Sequence, residues 1–207
     1  MKRIFKGFLI VLLLAVGLSG CGGNGGTKET ENKDSGQAGT RLSEAYAKMM
    51  NDGKYLMEVV TTTEVDGVAM RIEMTMAVDG DDVAITTVNG GVTSSMISKG
   101  DKLYVIDEAS KTVLVMKQSV GELSEAAKTS EVSGLNFTKS GQEGGLQYEE
   151  YTTDGGKILY YFEGANLKKI KYVAEDGSVS EMEIIRMTKD IPAGTFEVPA
   201  GYQLIEV

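Results

Sequence analysis

Apolar and polar residues alternate along most of this chain, which is the period of a β-strand with one buried face. The clearest case begins at Val68, where every second residue is apolar: Val68, Met70, Ile72, Met74, Met76 and Val78. A register slip of one residue would move all six apolar side chains from the buried face to the solvent-exposed face. The sequence therefore specifies the pairing of this strand strongly.

Ten segments of this kind follow one another, separated by turns rich in Gly, Asp and Asn. They are 55–65, 68–78, 83–88, 92–98, 103–106, 112–116, 146–152, 157–162, 167–173 and 179–187. Short strands at a spacing of roughly 8–12 residues predict an antiparallel meander. Asp66-Gly67 is predicted to be a hairpin turn.

Two segments have the helical period instead. From Leu42, apolar residues recur on one face, Thr40 can cap the helix, and Gly53 is placed to end it. A second helix is predicted over Val120–Lys128, with a capping-box spacing and an apolar face of Val120, Leu123 and Ala127. Helices this short are best placed to cover one face of a curved sheet.

The first twenty residues have the parts of an export signal: a basic start, an apolar stretch from Phe8 to Val16, and small residues before Cys21. Leu18-Ser19-Gly20-Cys21 resembles the bacterial lipobox, which implies cleavage between Gly20 and Cys21 and diacylation of Cys21. An uncleaved transmembrane span would need about 20 apolar residues, and the apolar stretch of this chain is too short for one. A plain secretory signal would leave Cys21 as the single unpaired thiol of an exported chain.

The resulting organisation is a lipoprotein signal peptide at 1–20, a lipidated cysteine with a flexible tether at 21–40, and a folded domain at 41–207. Gly, Ser and charged residues dominate the tether, and its 18 residues after Cys21 would span about 20–25 Å as a random coil. The predicted location is the outer face of a bacterial cytoplasmic membrane, held there by acyl chains.

Charge and composition exclude several function classes. The chain has 21 basic and 30 acidic residues, and loss of the signal would leave 18 against 30, a net charge of −12. Nucleic acid is therefore not expected as a partner. Because the chain has no histidine, serine or cysteine catalysis with a histidine base is excluded, and we predict no catalytic residue, metal or cofactor.

Two acidic motifs have simple structural explanations. Asp79-Gly80-Asp81-Asp82 suggests calcium, but it lacks the spacing of an EF-hand loop, and a solvated β-turn explains it better. Glu149 and Glu150 are adjacent on a strand and should point to opposite faces, which makes them a poor acid–base pair.

Methionine is the one compositional surplus, with 11 in the chain. Its flexible, polarisable side chain suits adaptable apolar pockets. Met70, Ile72, Met74 and Met76 share a strand face and are the candidate lining of an apolar ligand site. One alternative is that these methionines simply fill the core. Another is a thioether Cu(I) site at Met70, Met74 and Met76, which the absence of histidine makes the weaker interpretation.

The layout from 41 to 207, with its final Phe196-Glu197-Val198-Pro199-Ala200-Gly201-Tyr202, resembles that of the LolA-like lipoprotein carriers and related lipoproteins. This resemblance implies an unclosed barrel wrapped over helices, with an apolar cavity that accepts acyl chains. The carriers are soluble shuttles, whereas Cys21 would tether this chain, so binding in place is expected.

The sequence thus predicts an α+β fold: a curved antiparallel sheet, an unclosed half-barrel of about 9–11 strands, with one or two short helices on its concave side. The predicted function is non-catalytic binding of a lipid or other apolar ligand in that concavity. The alternative is an interaction or sensor module with a solid core that docks an envelope protein. Its surface could hold tyrosines of the late strands: Tyr148, Tyr151, Tyr160, Tyr161 and Tyr172.

Overall fold

The structure, a computed structural model, describes residues 41–65, 68–128 and 135–207. The helices are α1 (Leu42–Asn51) and α2 (Glu122–Lys128). The strands are β1 (Lys54–Val65), β2 (Val68–Asp79), β3 (Asp82–Asn89), β4 (Val92–Lys99), β5 (Lys102–Asp107), β6 (Thr112–Lys117), β7 (Asn136–Glu143), β8 (Leu146–Thr153), β9 (Gly156–Glu163), β10 (Asn166–Ala174), β11 (Val179–Thr188) and β12 (Gln203–Glu206).

All twelve described strands belong to one sheet, in the order β12-β6-β5-β4-β3-β2-β1-β11-β10-β9-β8-β7. Two meanders, β1 to β6 and β7 to β11, meet where β1 pairs with β11. Neighbours are antiparallel except β12, which runs parallel to β6. The end strands β7 and β12 do not pair with each other, so the curved sheet is an unclosed half-barrel.

The predicted fold class is confirmed, and so are all ten predicted strands. The sheet exceeds the expected 9–11 strands because two were missed. Strand β7 is a polar edge strand without apolar alternation, and most of its side chains are exposed. Strand β12 has only four residues, all of them exposed, so it carries no burial pattern that a sequence could show.

The main core lies between the concave face and the two helices. Its buried side chains come from both meanders, including Tyr55, Met76 and Val83 on one side and Tyr160 and Phe162 on the other. Apolar residues of α1 and Leu123 of α2 pack against this cluster. The helices therefore cover the middle of the sheet, where the two meanders join.

A second core lies on the opposite, convex face. It contains Leu56, Ala77, Ala84, Ile97, Ile106, Val113 and Val115. The segment between β11 and β12 covers it with Ile191, Phe196, Val198 and Tyr202. We call residues 189–202 the C-terminal strap, because they cross this face from β11 to the far edge of the sheet, where β12 joins β6.

The helix ends differ from the predictions. The predicted cap Thr40 lies outside the described residues, and the capping position of α1 is Arg41, which makes no side-chain capping bond. Helix α2 begins at Glu122 rather than Val120. Gly121 has φ +78°, which breaks the helical path, and Val120 is exposed instead of facing the core. The predicted turn Asp66-Gly67 is also outside the described residues.

Candidate functional site

Eight apolar side chains form one continuous row on the concave face. Each is the register partner of the next across a strand pair, and together they cross eight neighbouring strands. In order they are Met187, Met57, Met76, Ile85, Met96, Val105, Leu114 and Ile205. We call this set the apolar row, and at the usual strand spacing it is about 34 Å long.

Exposure changes along the apolar row. Met57, Met76 and Ile85 are buried in the core beneath the helices. Beyond them the cover ends: Val105 is 38% exposed and Ile205 is 43% exposed. One end of the row is therefore a packed interior, while the other is an open apolar surface on β4, β5, β6 and β12.

The open end of the apolar row has a polar border on one side. The neighbouring row toward the β3–β4 turn consists of Thr87, Ser94, Asp107, Thr112 and Gln203, which are also register partners. On the other side lie Leu103 and Met116, both half-buried. The open apolar surface is thus about two side chains wide and ends in groups that water can solvate.

Most methionines gather on this concave face. Eight of the 11 belong to the main core or pack against it: Met49, Met50, Met57, Met74, Met76, Met96, Met182 and Met187. They come from one helix and four strands, so no single sequence segment displays the cluster. Their flexible side chains give this face a surface that can repack around a guest molecule.

The four predicted lining residues do not lie together in the apolar row. Met76 is a member, and Met74 is buried one row away, paired with Val59 and Thr87. Ile72 is buried further toward the β1–β2 hairpin, and Met70 is half-buried beyond it. Alternation along β2 places all four on one face of the strand, the face that Met74 and Met76 turn toward the main core. The row itself runs across strands, so its members Met96, Val105 and Leu114 could be found only from the register.

Helix α1 is fixed over the main core by polar contacts with the second meander. The Glu149 carboxylate on β8 accepts hydrogen bonds from the backbone N–H groups of Leu42, at 2.9 Å, and Ser43, at 3.0 Å. In mid-helix, the Tyr46 hydroxyl donates to the carbonyl of Ala165 and accepts from the N–H of Leu167. The Glu149 bonds satisfy N–H groups that a helix start leaves without partners.

A buried tyrosine on β1 makes a hydrogen bond to the backbone of helix α2. The Tyr55 hydroxyl donates a 2.9 Å hydrogen bond to the Ala127 carbonyl. Burial raises the pKa of Tyr55 well above its ordinary value, because the low-dielectric core disfavours the phenolate. The hydroxyl therefore remains a neutral donor throughout the physiological range.

The acidic motifs behave as expected. Glu149 faces α1, whereas Glu150 is buried on the other face and pairs with Lys157 at 3.3 Å. Asp79-Gly80-Asp81-Asp82 forms the β2–β3 turn, with Asp79 paired to Lys54. Within the described ranges, no group of three or more Asp, Glu or Cys side chains is arranged to hold a metal ion.

The tyrosines of the late strands do not form a surface patch. Tyr148, Tyr151, Tyr160 and Tyr161 are buried, and Tyr172 is half-buried. Tyr151 and Tyr160 belong to the concave core, while Tyr148 and Tyr161 belong to a small cluster on the convex face. Their alternation across the sheet makes them core residues on both faces.

The predicted signal peptide at 1–20, the cleavage position at Gly20 and Cys21, and the tether at 21–40 lie outside the described residues. Within the part of the chain that the structure describes, no helix has the length and apolar character needed to cross a membrane.

No protein-family model matches this chain, and no curated protein matches it in sequence. Among solved structures, it is similar to an uncharacterised conserved protein from Thermus thermophilus, with 6% identity and a TM-score of 0.50 over 80% of this chain and 98% of that one. LprF from Mycobacterium bovis is 10% identical, with a TM-score of 0.40 over 73% and 93% of the two chains. MucB, solved in complex with MucA(peri), is 13% identical, with a TM-score of 0.41 over 80% and 61%. At 6% identity, the likeness to the Thermus thermophilus protein shows the fold alone.

Proposed function

We propose that this protein is a membrane-anchored, extracytoplasmic lipoprotein that binds the hydrocarbon part of a lipid, or a similar apolar ligand, along the apolar row. Binding requires no covalent step. The observation that supports it best is the continuity of the row, which runs from a methionine-rich core to the exposed side chains Val105 and Ile205. The predicted lining residues Met70, Ile72, Met74 and Met76 enter this proposal as the inner part of the same face.

The energetics favour an elongated apolar guest. Each Å² of apolar surface removed from water contributes about 25 cal/mol, so affinity grows with the length of row that the guest covers. Among the described residues, the open surface contains no charged side chain until Asp107 in the polar border. A hydrocarbon chain on the row with its polar end at that border would leave no buried polar group unsatisfied.

Anchoring rests on Cys21 and the lipobox resemblance. A diacylated cysteine provides the two hydrophobic chains that stable membrane attachment requires. Tethered in this way, the domain would stay within reach of the lipids of its own membrane, which agrees with binding in place rather than transport between membranes.

The test compares two lysine substitutions on the concave face. Val105→Lys places a charge in the open part of the apolar row, while Ser94→Lys places the same charge one row away in the polar border. We expect Val105→Lys to weaken binding of an environment-sensitive fluorescent fatty acid at least tenfold, because the charge must be buried beneath the hydrocarbon chain. Ser94→Lys should change affinity less than about threefold, because a lysine in the polar border stays in water.

Equal affinity of both variants and the unmodified protein would contradict binding on this row, provided that circular dichroism shows the variants folded. Native mass spectrometry of the protein from a bacterial host gives an independent readout. A lipid-mass adduct that is lost in Val105→Lys and retained in Ser94→Lys would support the proposal. An unadducted mass after incubation with envelope lipids would favour the alternative, a docking module whose concave face is filled by its own helices.

A further inference from the structure

Three lysines lie directly opposite one another at the outer end of the sheet. Lys99 on β4 is the register partner of Lys102 on β5, which is the partner of Lys117 on β6. Lys99 and Lys117 each follow a buried convex-face residue, Ile97 and Val115, by two positions, so the three share the convex face. We call them the lysine row. Like charges directly opposite on neighbouring strands destabilise the pairing, so the arrangement has a cost.

The protein neutralises this positive charge only in part. Lys102 pairs with the exposed Glu206 at 3.6 Å, and Lys99 Nζ donates to the carbonyl of Phe196 at 3.5 Å. Among the described residues, no carboxylate lies within ion-pair distance of Lys99 or Lys117. Within the same ranges, Asp101 in the turn between β4 and β5 pairs with none of the three lysines.

The matching ends of β1, β2 and β3 carry one positive and two negative side chains. Lys54, Asp79 and Asp82 are register partners at the matching ends of β1, β2 and β3, and Lys54 pairs with Asp79 at 2.8 Å. Positive charge is therefore concentrated at the outer end, next to β12, in a chain whose net charge is −9.

An exposed aliphatic side chain lies on the same face as the lysine row but further along the sheet edge. Leu204 is the register partner of Val113, four residues before Lys117, and Glu206 lies between them as the partner of Val115. Strand β12 lies beside β6 at the edge of the sheet, and its convex-face residue Leu204 is 58% exposed. Val207, two positions after the concave-face Ile205, is 77% exposed at the end of the same edge. A sheet edge that presents both lysines and exposed aliphatic side chains matches the interface of an anionic bilayer. Ammonium groups bind lipid phosphates there, while aliphatic side chains and lysine stems enter the boundary of the acyl region.

We propose that the lysine row and the exposed edge of β12 form a surface that rests on an anionic lipid bilayer and orients the domain above it. Lysine suits this role because its ammonium is a flexible point charge that binds diffuse negative charge without fixed geometry. The proposal uses the anchoring part of the proposed function as its setting, and it is independent of ligand binding on the apolar row.

The full chain in vesicles provides the test. Amide hydrogen exchange would be followed by mass spectrometry on vesicles of phosphatidylcholine alone and on vesicles that also contain phosphatidylglycerol. The variant replaces all three lysines with glutamine, as K99Q/K102Q/K117Q. The control K48Q/K139Q/K168Q removes the same charge from other surfaces. Each lysine near an anionic membrane surface contributes about 1 kcal/mol to the free energy of binding. Three lysines therefore correspond to a preference for the anionic vesicles on the order of a hundredfold.

We expect slower exchange at residues 99–117 and 203–207 on the anionic vesicles only, with this protection lost in K99Q/K102Q/K117Q and kept in the control. Equal exchange on both vesicle types, or equal losses in both variants, would overturn the proposal. So would protection of β12 that appears without vesicles and grows with protein concentration, since it would identify a second copy of the chain as the occupant. Anchoring is measured separately, as the fraction of the protein that sediments with the neutral vesicles. A low fraction would show that anchoring itself has failed.

Discussion

The carboxylate of Glu149 on β8 accepts a 3.0 Å hydrogen bond from the backbone N–H of Ser43. This bond joins the first turn of α1 to the second meander across 106 residues of sequence. The Ser43 hydroxyl also donates to Glu149 and shares a 2.6 Å hydrogen bond with the Tyr151 hydroxyl. Since Ser43 and Tyr151 are buried, this contact fixes the position of α1 over the concave core.

Replacing Glu149 with glutamine should therefore loosen α1 while leaving the sheet intact. Glutamine has nearly the same shape, but it lacks the charge that strengthens these hydrogen bonds and complements the positive end of the helix. We expect a loss of about 1–2 kcal/mol in the free energy of unfolding. Amide exchange in Leu42–Asn51 should rise more than exchange in β1 or β2. Glu44→Gln, at an exposed position of the same helix, is the control, and equal effects of both substitutions would argue against the contact.

Gly156 should tolerate no side chain. A Cβ at this position would overlap the backbone carbonyl oxygen of Val173 on the neighbouring strand, which cannot move without breaking the β9–β10 pairing. We expect Gly156→Ala to cost more than about 3 kcal/mol, measured by urea denaturation. Gly164→Ala is the control: its φ is +59°, but no atom lies within 4 Å of the added Cβ. That substitution should cost about 1–2 kcal/mol.

Gly141 offers a graded comparison with Gly156. Its added Cβ would lie 2.7 Å from the ring tip of Tyr148, its register partner on β8. Because a ring can swing aside where a carbonyl cannot, Gly141→Ala should cost less than Gly156→Ala. Tyrosine fluorescence or a crystal structure should show the displaced ring. A larger loss at Gly141 than at Gly156 would contradict this reasoning.

The C-terminal strap should contribute measurably to stability through Phe196, which packs on the convex core. Phe196→Ala removes apolar contact from a half-buried site, and we expect a loss of about 2 kcal/mol in thermal or urea unfolding. Exchange should rise in β6 and β12 before it rises in β8 and β9. Leu204→Ala, at an exposed site on β12, should change stability by less than about 0.5 kcal/mol.

Alkaline pH should destabilise the protein through its buried tyrosines. Burial raises the pKa of Tyr55 and Tyr160 above the value of about 10 that tyrosine has in an unfolded chain. Their contribution is present in full below about pH 10 and falls as pH rises above it, because only the unfolded state then releases these protons. Urea midpoints measured from about pH 9 to about pH 11 should decline accordingly. Tyr55→Phe should show a shallower decline, and an unchanged slope would contradict this assignment.

Cys21 provides the test of anchoring. If it is the acylated residue, Cys21→Ser should move the protein from the membrane fraction to the soluble extracytoplasmic fraction and abolish labelling with radioactive palmitate. Ser19→Ala, which keeps a small residue before the cleavage position, should leave both unchanged. Membrane retention of Cys21→Ser with its signal removed would contradict lipidation as the anchor.

The sequence by itself determined the elements and their faces. Strict alternation in β2 specifies which side chains turn inward, because a strand has a period of two and water penalises the wrong choice. The helical period from Leu42 and the Gly-rich turns are equally local signals. The same local reasoning placed the start of α2 too early, at Val120, because the apolar pattern does not show that Gly121, at φ +78°, delays the helix to Glu122.

Only the tertiary structure decided what lies next to what. The apolar row joins Met76 to Val105 and Ile205 through cross-strand register, and each strand supplies a single member, so no segment of sequence displays it. The Glu149 contact with α1, the lysine row and the strap depend in the same way on long-range pairing. Strands β7 and β12 were missed because an exposed edge strand is held mainly by backbone hydrogen bonds, and those leave no mark in the side-chain pattern.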